Sequence, residues 1–389
     1  MTLSEVLNDP IFQFPLESSS FFPKRIGRIL TQYRRLIGAI DDEYAQIVRA
    51  NIKSAHETCS NIIGATDAIF RGNTAHAYEL FTATMQRLEP YITYPDKNYI
   101  ELGPTSLFKA RRTMEQQFTL QDMFHVPFEK RQDIPTSRFS LPGVPCLYLG
   151  NSIYTCWEEL DRPAFSQMPV SRFEITGKNF RFLDLGNDRQ FIRHAISSFE
   201  YKPHPKISEE DSRKIHAINI DLVKDHLLPR YLNAYPLLAA CYIKVHHRMA
   251  HFKPEYAFPQ MVMQWIMSQD NIDGVKYLST KCKLPDDDFH SFIQQYVNYA
   301  IPIQTYQESG YCEEMIKHIS LTEPLTYELL SMESPQTAVT PVDYENDIAG
   351  KHFGPAIHFL HFNDNPSSYL KSTFGILEHQ LSKLPVKLL

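Results

Sequence analysis

The sequence predicts an α+β protein in which an all-α N-terminal region precedes a mixed core of strands and helices. Three observations carry this. Apolar residues recur at helical spacing from about Pro23 to Pro90, short strand-like and helical segments alternate over residues 105–330, and no run approaches the roughly eighteen uninterrupted apolar residues of a membrane span. At 389 residues, 43% hydrophobic and 22% charged, the composition is that of an ordinary globular chain with a substantial core.

The opening stretch, MTLSEVLNDPIF, has no basic segment followed by an apolar run, so neither a signal peptide nor a membrane span is expected and the chain reads as soluble and cytoplasmic. Ile26, Ile29, Leu30, Tyr33 and Ile37 then interleave with Lys24, Arg25, Arg28, Arg34 and Arg35, which makes the basic cluster the wet side of an amphipathic helix. A long stripe from Tyr44 through Val48, Ile52, Cys59 and Ile63 ends at Gly64. A further helix starts near Asn73 or Thr74 and runs through Tyr78, Phe81, Met85 and Leu88. The Pro- and Tyr-rich passage 90–104 reads as the exit linker, giving a helical domain over 1–100, a second domain over 101–330 and an extension over 331–389.

Within 101–330, strands are expected at 144–149, 171–176, 180–185, 241–246 and 274–279, and helices at 152–160, 188–199, 212–233, 259–269 and 286–296. The extension opens with the polar loop SMESPQTAVTPVDYEND, followed by a strand at 356–361 and a helix at 366–383.

Several chemistries are excluded or weakened. No G-x-G-x-x-G, G-x-x-x-x-G-K-[ST] or G-x-S-x-G occurs, so a Rossmann cradle, a P-loop and a nucleophile elbow are absent. The six cysteines are scattered without a C-x-x-C pair and read as reduced thiols. His247 and His251 are spaced to share a helical face with His246 beside them, but no glutamate completes H-E-x-x-H and no metal is expected. His125 has no partner visible in the sequence. A net charge of −6 argues against nucleic acid as a partner.

Two stretches point toward a site. In 107–139, Lys109, Arg111, Arg112, Lys130, Arg131 and Arg138 alternate with Phe108, Phe118, Phe124, Phe128 and Phe139, which suits either a bound nucleotide or solubilising charge over a core. The block RFSLPGVPCLYLGNSIYTCWEEL (138–160) joins a basic loop to a strand buried on both faces and to a helix capped by Ser152, with Ile153, Cys156, Trp157 and Leu160 inward. At about 100° per residue, Glu159 lies about 110° from the stripe centre and Glu158 about 150°, so Glu159 borders the buried surface and Glu158 points toward solvent. Geometry alone leaves open whether this pair is a site or a solvated face. Farther on, Val275, Tyr277 and Ser279 share one face of a strand that Asp273-Gly274 introduces.

The pieces FKARR, RFSLPGVPCLYLGNSIYTCWEEL and IDGVKYLST stand in the order found in the RES-domain family, which the chain resembles over roughly residues 105–305. The central block is the specific part: a basic residue, P-G-x-P-x-x-Y-L, then a glutamate eleven residues after the tyrosine, which is Glu159 when counted from Tyr148. The resemblance implies an ADP-ribosyltransferase-like fold and a toxin of a toxin–antitoxin pair that degrades NAD by hydrolysis or phosphorolysis. It implies Glu159, Arg138, Tyr148 and Ser279 as catalytic residues, and Lys109, Arg111, Arg112 and Tyr277 as the groups that hold NAD. Lys109 stands where the family's opening has an arginine, and lysine keeps the charge without the planar fork. NAD would be a substrate, inorganic phosphate a co-substrate if the reaction is phosphorolysis, and an antitoxin or regulatory protein and a second copy of the chain the partners. Transfer of ADP-ribose to a macromolecule, and an interaction protein with the same fold but no turnover, are the alternatives.

Overall fold

The structure is a computed structural model that describes residues 1–389 except 20, 93–105, 113–117, 177–179, 187–188, 198–216, 283–295, 327–358 and 363–364. Its helices are α1 (Leu3–Leu7), α2 (Phe22–Gly38), α3 (Ala45–Phe70), α4 (Thr74–Ile92), α5 (Ile153–Glu159), α6 (Arg189–Ser197), α7 (Leu228–Cys241), α8 (Ala257–Ile266), α9 (Glu313–His318) and α10 (Thr373–Lys383). The chain divides into two compact units, one formed by Met1–Tyr94 with Leu185–Val262 and the other by Pro95–Asp184 with Met263–Leu389. Residues 185–262, expected in the same domain as the strands, thus belong with the N-terminal helices. Periodicity marks a helix but says nothing about which distant segment covers its apolar face.

In the helical unit, α2 buries Ile26, Ile29, Leu30, Tyr33, Leu36 and Ile37 and exposes Lys24, Arg28 and Arg35, as its periodicity predicts. The centre is aromatic: Tyr33 and Tyr235 stack with ring centroids 4.3 Å apart, and Phe12 lies 4.8 Å from Tyr235. Pro236 sits inside α7 and brings no N–H, so the carbonyl of Leu232 loses its helical donor. The buried Tyr33 hydroxyl donates to that carbonyl instead. The strand expected at 241–246 does not form. Helix α7 runs to Cys241, and Ile243 makes only a single bridge with Leu16.

The second unit is built on a seven-stranded mixed sheet of β1 (Leu107–Ala110), β2 (Cys146–Gly150), β3 (Val170–Ile175), β4 (Phe182–Asp184), β5 (Gly274–Leu278), β6 (Val297–Pro302) and β7 (Ile319–Leu321), in the order β4-β5-β6-β2-β1-β3-β7. Among the described strands of this sheet, only β4 and β5 run parallel. Strands β1, β6 and β7 were not expected. Each is short or lies among turn residues, where period-2 alternation has too few residues to register. A separate hairpin pairs β8 (Phe359–Phe362) with β9 (Asn365–Ser368), so the helix expected at 366–383 is shortened to α10. The linker expected at 90–104, the loop of 331–347 and the helix expected at 286–296 lie largely or wholly outside the described residues.

Register decides what shares a face. Tyr148 opposes Ala300 and Gly150 opposes Asn298 between β2 and β6, while Val275 opposes Ala300 and Tyr277 opposes Asn298 between β5 and β6. Directly opposed residues project from the same side, so Cys146, Tyr148, Asn298 and Tyr277 line one face of the sheet. Strand β2 is therefore not buried on both faces. Leu147 and Leu149 are fully buried, but Cys146 and Tyr148 are only half-buried.

Helix α5 follows β2 directly and packs back toward that face. Asn151 accepts at Oδ1 from the Val297 N–H (3.1 Å) and donates its own N–H to the Val297 carbonyl (2.9 Å), which ties the turn to β6. Ser152 caps the helix by accepting from the Thr155 N–H at 3.1 Å. A Cβ on Gly150 would lie 2.8 Å from the Cys156 sulfur and 3.2 Å from the Ser152 carbonyl oxygen, so glycine permits the close approach of helix to strand.

Candidate active site

Glu159 is the last residue of α5 and is half-buried. Its Oε1 accepts from the Ser279 hydroxyl at 2.7 Å and from Asn298 Nδ2 at 2.8 Å. Ser279, just past β5, is fixed in turn: its N–H donates to the Tyr296 carbonyl (2.7 Å), and its Oγ accepts from the N–H groups of Lys281 (3.2 Å) and Cys282 (3.4 Å). The serine proton is thus directed at the carboxylate. Lys281 completes the clamp by donating from Nζ to the Glu159 carbonyl and to Asp161 Oδ1, the latter at 3.0 Å.

Asn298 is the residue sequence reading missed. It is nearly fully buried as the second residue of β6, a strand otherwise lined by Val297, Tyr299, Ala300 and Ile301. A lone carboxamide in an apolar strand demands a polar partner, and that was the available signal.

Tyr277 and Tyr148 flank this cluster on the sheet face. The ring of Tyr277 packs 4.3 Å from that of Phe139, and its hydroxyl is pushed well above the ordinary tyrosine value by burial, then by the nearby Glu159 and Tyr148, with Arg138 acting in the opposite sense. Glu159 and Ser279 are joined by a hydrogen bond, and Glu159, Tyr148 and the half-buried Arg138 are each close enough to act on the Tyr277 hydroxyl.

The other expected cations are engaged elsewhere. Lys109 donates from Nζ to the Phe124 carbonyl at 2.6 Å, Arg111 donates to the Asp122 carbonyl at 2.6 Å and lies over the Phe118 ring, and Arg112 is exposed. Burial, followed by the Arg111 charge, lowers Lys109 to about 7. Phe108, Phe124, Phe128 and Phe139 are core residues, so much of the cationic aromatic run is charge over a core.

Glu158 corrects the helix-phase argument. Instead of pointing to solvent its side chain is 5% exposed and accepts bidentately from Arg162, at 2.9 and 3.0 Å. The phase assumed one apolar side, whereas α5 is enclosed by the sheet on one side and by α10 on another, with Tyr154 and Trp157 both 5.3 Å from Phe374.

Among the described residues no group of His, Cys, Asp and Glu is placed to hold a metal. His246, His247 and His251 lie exposed in a loop. His125 is structural: its Nδ1 is 2.8 Å from the Val126 carbonyl, its Nε2 accepts from the Cys312 N–H at 2.9 Å, and burial lowers it to about 4. All six cysteines are unpaired thiols, and no helix among the described residues is long and apolar enough to cross a membrane.

The chain is similar to a curated protein of Bacillus subtilis (strain 168) whose name is "Putative toxin YopC". The two are 32% identical over 243 residues, covering 61% of this chain and 50% of that protein. The chain spans about half the length of the relative it matches. No family model matches, and no solved structure matches.

Proposed function

We propose that the chain is an NAD-consuming enzyme of the RES type, an NAD glycohydrolase or NAD phosphorylase that acts as a toxin by depleting cytoplasmic NAD. One observation carries the reading. Glu159 and Ser279, 120 residues apart and named separately by the resemblance, are joined by a hydrogen bond on a sheet face shared with Tyr148 and Tyr277. The likeness to a protein called a toxin supports the biological half.

The chemistry follows from the geometry. Cleavage of the nicotinamide–ribose bond sends its electron pair to nicotinamide, which leaves neutral, and the ribose ring takes on positive charge as in glycoside hydrolysis. Both donors to the Glu159 carboxylate converge on Oε1, and among the described residues none donates to Oε2. Oε2 is the oxygen left to meet the charged ribose or one of its hydroxyls. Tyr148 and Tyr277 bound the nicotinamide, and Arg138 meets the pyrophosphate. Water or phosphate then adds to the anomeric carbon and releases a proton. Ser279 acts as the orienter of the carboxylate, with Asn298 as its second support.

Purified protein incubated with NAD, with and without phosphate and with and without lysate, tests the reading by mass identification of the products. Free nicotinamide with ADP-ribose marks hydrolysis, a phosphorylated ADP-ribose marks phosphorolysis, and label on macromolecules marks transfer. NAD that survives undiminished at high enzyme concentration, in the absence of any inhibitor protein, overturns the proposal.

A further inference from the structure

Helix α5 is held at both ends, and only one end belongs to the site described above. At its first residue the Ile153 N–H donates at 2.8 Å to Oε1 of Glu378, a residue of α10 that lies 225 positions away. The same oxygen accepts from the Tyr369 hydroxyl at 2.5 Å. A carboxyl in this setting is costly, and burial pushes it up to about 7. An alanine or leucine there would fill an apolar contact with α5 at no such cost. What the carboxyl adds is a directional bond to a backbone donor that the first turn of a helix otherwise leaves unpaired.

The surroundings make this bond a fixed point. Ile153, Phe374, Leu377 and Leu381 are buried in one cluster with Tyr369. The far end of α10 is held by Arg172 of β3, which donates to the carbonyls of Leu381 and Leu384 at 3.0 Å each. After α10, Lys387 and Leu321 exchange N–H and carbonyl bonds of 2.9 Å. Helix α5 is seven residues long, about 10 Å, and carries Glu159 at its other end. Over that length it moves as a rigid rod, so a shift or tilt at Ile153 is delivered to Glu159. Productive geometry tolerates only about half an ångström.

We infer that Glu378 is a positioning residue for Glu159, holding the N-terminus of α5 so that the carboxylate at its C-terminus meets Ser279 and Asn298. The inference rests on the catalytic role given to Glu159 above. The residues after 330 are then part of the working domain through α10.

The test uses the full chain with Glu378→Ala and Glu378→Gln. Glutamine keeps an acceptor oxygen for the Ile153 N–H and the Tyr369 hydroxyl, whereas alanine removes it. NAD turnover is measured at a temperature where circular dichroism shows all three proteins folded. Glu378→Ala is expected to lower kcat at least tenfold with KM changed less than twofold, and Glu378→Gln to stay within twofold of wild type. An alanine variant that retains kcat, or a glutamine variant as impaired as alanine, overturns the inference. Amide hydrogen exchange separates this from failure of the NAD reading. Glu378→Ala, but not Glu378→Gln, should speed exchange at least tenfold in peptides covering 153–160. Unchanged exchange there sinks the inference even if wild type leaves NAD intact.

Discussion

Glu158 and Glu159 differ in what reaches them: a guanidinium clamps the first, and a serine and a carboxamide hold one oxygen of the second. Glu159→Gln is therefore expected to reduce NAD turnover by two orders of magnitude or more, about 3 kcal/mol of barrier, while leaving the thermal midpoint close to wild type. Ser279→Ala and Asn298→Ala should each cost about tenfold in kcat, since each leaves the carboxylate one remaining tether. Glu158→Ala should do the converse, lowering the melting temperature more than the turnover, because Glu158 is buried and its removal leaves space unfilled beside α5, whereas Arg162, 60% exposed, is hydrated once unpaired. Paired melting curves and initial rates on the four variants read all of these. The sequence marked Glu159, Tyr148, Arg138 and Ser279 as one constellation; the structure joins Glu159 to Ser279 by a hydrogen bond. Asn298 had only its place as a lone carboxamide among apolar residues to mark it, and its partner appears only once β5 and β2 flank β6.

At the scale of elements, two close approaches carry the architecture. Gly150→Ala must push α5 away from β2, since its Cβ would meet the Cys156 sulfur, and both stability and turnover should fall. In the helical unit the Tyr33 hydroxyl stands in for the donor that Pro236 lacks, so Tyr33→Phe should cost about 1–3 kcal/mol by leaving the Leu232 carbonyl buried and unpaired. Pro236→Ala should recover part of that loss in the Tyr33→Phe background, where the restored N–H finds a free acceptor, and recover less in wild type. Urea titrations of the two single variants and the double variant give the coupling directly. Helices were legible because 3.6-residue periodicity accumulates over many turns. Strands of three to six residues carry too little repeat, and Pro and Gly at their edges blur what there is.

Between about pH 4 and pH 7, two groups with large shifts of opposite sense couple the fold to pH. Glu378 is raised from 4.5 to about 7, so between those values the native state holds more protons than the unfolded chain and stability falls as pH rises. His125 is lowered from 6.5 to about 4, so over that window the native state holds fewer protons and stability rises with pH. Each shift corresponds to an effect on the order of 3 kcal/mol, and over about pH 4.5–6.5 the two oppose each other. Glu378→Gln should remove only the falling limb and move the pH of maximal stability upward, which denaturation midpoints at several pH values would show. At this scale the sequence was least informative. An α+β class was visible from local patterns, but residues 185–262 had to be seen packed before they could be assigned to the helical unit, and α10 before it could be assigned to the sheet unit.

The place of α10 in the chain has a consequence for synthesis. Glu159, Ser279 and Asn298 all leave the ribosome before Thr373–Lys383 does, so a growing chain owns its reactive groups well before it owns the brace that aligns them. On the NAD-consuming reading proposed above, the site would then be aligned only once Thr373–Lys383 has been made. Chains shortened before Ser372 should be harmless to the cell that makes them, a difference that expression of the 389-residue chain and of the shortened chains, scored by growth and by cellular NAD, would reveal.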